Sequence, residues 1–116
     1  MLFKEAEHKR AFRKDVQGGK GELDCFYPIP SEEGPQESRF RMVGRMTLAP
    51  GGILGLHTHE TDEEVYIILS GKGLYTDSDG RRHEVGPGDV TLTMKGKKHA
   101  LEALDEPLTF WAVIAR

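Results

Sequence analysis

The chain has 116 residues, 37% of them hydrophobic and 30% charged, and a formal net charge of -3. That length bounds it to one domain, residues 1–116, with a core of modest size. The slight acidic balance excludes the basic footprint of a nucleic-acid-binding surface, and a single cysteine, Cys25, excludes an intrachain disulfide scaffold.

The N-terminal stretch MLFKEAEHKR is charged by Lys4, so it offers no signal-peptide hydrophobic region, and no apolar run approaches a membrane span. With the unpaired cysteine, this gives the expectation of a cytoplasmic protein with no membrane partner. Residues 1–22 read as an N-terminal arm. Leu2, Phe3, Ala6 and Phe12 offer a thin face for a short helix, and an arm ending at the turn Gly18-Gly19-Lys20-Gly21 is the alternative. Cys25 lies among Leu23, Phe26 and Tyr27 and reads as a packed thiol. Pro28 to Gln36 is a loop, because Pro28, Pro30 and Pro35 cannot all sit in a paired strand.

From Phe40 the period changes to two, and residues 40–115 read as a barrel of short strands. Phe40, Met42, Met46 and Leu48 share one face of the first strand. Ala49-Pro50-Gly51-Gly52 turns into a strand from Ile53 to His59, and Glu60 to Glu63 form a polar loop. Val65 to Leu69 is apolar on both faces. Asp79-Gly80 predicts a type I′ hairpin turn before Arg82 to Val85. Val90 to Met94, Ala100 to Ala103 and Leu108 to Ala115 complete the set. Fourteen glycines and regularly spaced turns point to an all-β antiparallel sandwich or barrel.

His57-Thr58-His59 carries the chemistry. Alternate side chains of a strand share a face, so both imidazoles point the same way, with attachment points about 7 Å apart. Glu64 opens the next strand after a short loop, and His99 arrives only through tertiary folding. Three histidines and a carboxylate suit a divalent transition-metal ion. His8 and His83 have no partner at ligand spacing and read as solvated.

The segment GGILGLHTHETDEEVYIILSG, Gly51 to Gly71, has the pattern G-x5-H-x-H-x4-E-x6-G. It resembles the first motif of the cupin superfamily in full. The second motif is partly present in Gly88 to Ala103, which keeps Gly88, Gly96 and His99 but has Met94 where proline is usual and Ala103 where asparagine is usual. The resemblance implies a double-stranded β-helix, a jelly-roll-like antiparallel barrel of conical shape with one metal ion inside. It implies His57, His59, Glu64 and His99 as the ligands, with Mn, Fe, Co, Ni, Cu and Zn all acceptable. Glu63 is set aside because it points to the opposite face of its strand.

Parity with the ligands predicts Ile53, Gly55, Tyr66, Ile68 and Leu101 as inward, making with Phe40, Met42 and Met46 an apolar cavity for a small-molecule ligand. Tyr66 is the candidate catalytic residue, as orienting donor or proton relay, or else core filler. The resemblance favours a metal-dependent enzyme, a dioxygenase, decarboxylase, isomerase or lyase. The alternatives are a non-catalytic small-molecule or metal-binding module and a purely structural barrel. Val65, Ile67 and Leu69 on one strand, and Thr109, Trp111 and Val113 on another, leave outer faces that need cover from a partner or the arm, which predicts a homodimer.

Overall fold

Apolar residues recurring at every second position give strands with one buried face, and most of the ten strands of the chain follow this pattern. The computed structural model describes residues 1–116. The strands are β1 Lys9–Lys14, β2 Glu22–Ile29, β3 Phe40–Leu48, β4 Ile53–Thr58, β5 Glu63–Ser70, β6 Gly73–Thr76, β7 Arg82–Val85, β8 Val90–Thr93, β9 Lys98–Ala103 and β10 Leu108–Ala115. They form a six-stranded sheet, β1-β2-β3-β10-β5-β8, and a four-stranded sheet, β4-β9-β6-β7. Every pairing is antiparallel. This is the all-β double-stranded β-helix that the motifs imply.

The core lies between the sheets. On β3, Met42, Gly44, Met46 and Leu48 are buried while the residues between them are half-buried. Phe110 and Leu108 from β10, Leu23 from β2, Ile68 from β5 and Leu101 from β9 are fully buried. Burying each such side chain contributes about 1.5–3 kcal/mol before entropy is charged against it. Cys25 is also fully buried, and burial raises its thiol pKa, as expected of a packed thiol.

Several local expectations need correction. Phe40 is 53% exposed and does not join the core, because it is the first residue of β3 and lies beyond the irregularity in the β3–β10 register. Ile53 is only half-buried, and Leu54 points inward instead. The cause is an irregularity in the β4–β9 register between Leu54 and His57, which breaks the parity of the strand. The proline-rich loop begins later than expected, since β2 runs through Pro28 to Ile29. Pro28 is tolerated because the β2–β3 register shifts between Phe26 and Ile29.

The turn at Asp79-Gly80 is not type I′. Gly80 has φ +85°, but Asp79 is not left-handed. The Gly80 amide donates to the Asp77 carbonyl, and the Asp77 amide to the Arg81 carbonyl, so the hairpin takes a longer loop with one left-handed glycine.

The N-terminal segment forms no helix of length, only a 3-10 turn at Glu5–Glu7, then β1 and a second 3-10 turn at Val16–Gly18. Phe12 lies on β1 and is 67% exposed. The segment from Asp15 to Gly21 crosses over β4 as a strap. Asp15, Gln17, Gly18 and Gly21 all have positive φ there. Lys20 and Ile53 exchange backbone hydrogen bonds of 3.0 and 2.8 Å, which fasten its far end. Gly55 lets it approach, since a Cβ there would lie 2.1 Å from the Gln17 carbonyl oxygen.

Candidate metal centre

Three elements bring the ligand candidates together. In the β4–β9 ladder His57 stands directly opposite His99. His59 lies one residue past the end of β4, where its amide donates to the Lys97 carbonyl and its carbonyl accepts from the Gly96 amide. These bonds hold it against the turn before β9, and Gly96 supplies the left-handed φ of +83° that this turn needs. Glu64 projects from β5, in the other sheet, across the barrel interior.

One ligand atom from each of His57, His59, Glu64 and His99 lies within 4.8 Å of the others. His99 Nε2 is 3.0 Å from His59 Nε2 and 3.1 Å from His57 Nε2. Glu64 Oε1 is 3.0 Å from His59 Nε2 and 3.2 Å from His99 Nε2. The opposite ring nitrogens are all engaged by protein. Nδ1 of His57 is 2.7 Å from the Gly55 carbonyl, Nδ1 of His59 is 2.7 Å from Asp62, and Nδ1 of His99 is 2.8 Å from the Thr93 hydroxyl. The first two partners accept, so those rings carry their proton on Nδ1 when neutral and turn a bare Nε2 inward. Several Nε2 lone pairs pointing at one another beside a carboxylate repel unless a cation or protons lie among them. The donor set therefore fits a divalent cation, and its His₃-carboxylate chemistry suits Mn, Fe, Co, Ni, Cu or Zn alike.

The electrostatics follow the same geometry. Burial holds the His57 pKa below the ordinary imidazole range. Glu64, through its hydrogen bond, holds that of His59 above it. Burial works to raise the Glu64 pKa, but the His59 and His99 imidazoles beside the carboxylate outweigh it and the net direction is down. The carboxylate stays ionised.

Sequence reasoning placed all four candidates and missed what stands behind them. Asp62, assigned to a polar loop, is 5% exposed and links His59 to Arg41. Arg41 in turn pairs with Glu32, which also meets Arg116 at 3.0 Å. The available signal was an acid three residues after a ligand histidine, a spacing that lets a loop fold back on it. His99 is backed through Thr93 by the Tyr75 hydroxyl at 3.0 Å. His8 and His83 stay outside the cluster, His8 near the Phe3 carbonyl at 3.0 Å and His83 exposed on β7. Glu63 is exposed, on the face opposite Glu64.

Tyr66 is inward and 3% exposed, stacked on the His99 ring at 4.9 Å with its hydroxyl 3.4 Å from His99 Nε2. Burial, with the Glu64 charge beside it, raises its pKa well above the usual phenol value, so it remains a neutral donor. A cavity of about 100 Å³ reaches His57, His59, Glu64 and Tyr66. Its walls include Met42, Met46 and Leu54. Its remaining polar groups, Arg13 and Gln17, come from β1 and the strap, which sequence reasoning did not connect with the site.

Comparison with known proteins places this geometry. The profile of the cupin domain matches residues 44–114. An oxalate-binding protein of Thermotoga maritima is 37% identical over 115 residues, covering 98% of this chain and 93% of that protein. A crystal structure from Thermotoga maritima, described as a predicted oxalate decarboxylase, superposes with a TM-score of 0.86 at 34% identity, covering 99% of this chain and 98% of that one. KdgF from Halomonas sp. shares the fold, with a TM-score of 0.74 at 16% identity over 99% of this chain and 92% of that one.

Proposed function

The chain belongs to the cupin domain family, and from that premise we propose that it binds one divalent transition-metal ion through His57, His59, Glu64 and His99 and uses it to hold a small carboxylate, oxalate foremost. The observation that carries this reading is the convergence of His57, His59, Glu64 and His99 on one point, with His57, His59 and Glu64 lining a cavity of about 100 Å³. A cavity of that size suits a ligand of few heavy atoms. The likeness to an oxalate-binding protein over nearly the whole chain supports the same ligand. A bound cation would supply a Lewis-acidic anchor, with up to two octahedral positions left open by four protein ligands.

Binding takes precedence over turnover. Apart from the ligand set, the cavity is lined by no carboxylate and no imidazole. Tyr66 is the one hydroxyl lining the cavity, and its raised pKa suits it to donate a hydrogen bond to a bound anion rather than to accept a proton from one. The observation favouring a decarboxylase or another enzyme is this same neutral donor, poised beside His99. The buried thiol of Cys25 suits a reducing cytoplasm.

The test is calorimetric titration of oxalate into protein loaded with Mn²⁺. Saturable binding that disappears after chelation supports the reading, and no heat with any loaded metal contradicts it. Oxalate consumption, followed in the same samples, decides between binding and catalysis.

A further inference from the structure

β1 pairs with β2 so that Ala11 stands opposite Cys25 and Arg13 opposite Leu23. Cys25 and Leu23 are buried, so Ala11 and Arg13 lie on the inner face of the sheet, while Arg10 and Phe12 lie on the outer face. Arg10 meets Asp24 there at 3.1 Å and stacks on Phe12 and Phe26. Arg13 meets no carboxylate. Every other arginine except Arg39 does. Arg13, itself exposed, instead lines the mouth of the cavity that reaches His57, His59 and Glu64. Its nearest ionisable neighbours on β2 are Tyr27 and Cys25, both held neutral at ordinary pH by burial.

The charges around the cavity can be counted. Asp62 is balanced by Arg41. A divalent cation offset by the Glu64 carboxylate leaves one positive charge at the floor, and Arg13 adds a second at the mouth. A monocarboxylate neutralises half of this, and a neutral diketone none. A small dianion with a carboxylate at each end would neutralise both, and the planar guanidinium fork of Arg13 is suited to donate to one of those carboxylates. The strap that follows Arg13 is seated on Gly55, whose carbonyl also accepts from His57 Nδ1, so the mouth and the floor are both fixed to Gly55 of β4.

Resting on the proposed metal-carboxylate reading, we infer that Arg13 is the specificity residue of the cavity, selecting a compact dicarboxylate dianion over monoanions and neutral chelators. A charge-assisted hydrogen bond of this kind corresponds to about 10- to 100-fold in affinity. The experiment compares wild type, Arg13→Gln and Arg10→Gln, each loaded with Mn²⁺ and checked for metal content, titrated with oxalate and with acetate. The expected result is preference for oxalate in wild type and Arg10→Gln, and a loss of about 10- to 100-fold for oxalate alone in Arg13→Gln, with Arg13→Lys recovering part of it. Oxalate binding that Arg13→Gln leaves unchanged overturns this inference while the metal-carboxylate reading stands. A wild type that binds acetate as well as oxalate overturns it too. A loaded wild type that binds neither overturns the reading on which it rests.

Discussion

At the scale of single residues, the meeting of His57, His59 and Glu64 was legible from strand geometry and a short loop, and that of His99 only from the resemblance to the second motif. What lies behind the ligands was not. Asp62 and Arg41 are far apart in sequence, and Arg41 falls on the face of β3 that alternation assigns away from the core. Asp62 fixes the His59 tautomer and ring orientation, a role that commonly carries 10- to 100-fold in metal affinity. Asp62→Asn keeps the shape and removes the charge, so it is expected to weaken Mn²⁺ binding by about that factor in a competitive chelator titration. Protons compete for the same nitrogens. Glu64 makes His59 hold its proton more firmly than a free imidazole, so metal affinity falls as pH drops through and somewhat above the histidine range. Because bound metal stabilises only the folded chain, a chelator should lower the melting temperature at pH 7.5 and do progressively less toward pH 5.

At the scale of elements, strand existence was legible from Phe40 onward because apolar alternation in β3 and β9 and glycine turns after β3, β5 and β7 mark most of the boundaries. β1 was not, since its exposed sequence KRAFRK alternates weakly and its pairing partner continues into a proline-rich stretch. The inward assignment of Ile53 failed for a local reason, the β4 register irregularity, which no spacing rule reveals. Two glycines separate backbone conformation from space. Gly80 has φ +85° and nothing within 4 Å of an added Cβ, so Gly80→Val should cost about 1–3 kcal/mol through strain alone, without touching the metal site. At Gly55 an added Cβ meets the Gln17 carbonyl oxygen at 2.1 Å and the Gly19 amide at 2.9 Å. Gly55→Ala should unseat the strap, lowering the melting temperature and weakening oxalate binding together. Thermal melts and titrations of the two variants check this, and a Gly55→Ala protein that binds oxalate normally would detach the strap from the site.

At the scale of the whole molecule, the two outer faces that sequence reasoning left uncovered meet different fates. Beside Trp111 and Val43 the N-terminal residues Leu2 and Phe3 border an open hollow on the six-stranded sheet, with Leu2 still 77% exposed. On the other flank, Ile67 and Leu69 of β5 and Val90 and Leu92 of β8 remain exposed. Ile67 pairs with Val90 and Val65 with Leu92, so these side chains form one continuous apolar patch at the sheet edge. A second copy covering it is the expected arrangement, and sedimentation at micromolar concentration should show about twice the 13.0 kDa chain. Leu92→Lys should return the protein to the single-chain mass with its metal content intact. The central claim is the ligand set itself, and metal stoichiometry after loading with Mn²⁺ and desalting tests it most directly. One equivalent per chain is predicted for wild type and for His83→Ala, with little in His57→Ala or His99→Ala, and the folding of each is checked by circular dichroism. A full equivalent retained by a folded His57→Ala and His99→Ala, or lost from His83→Ala, would contradict the account.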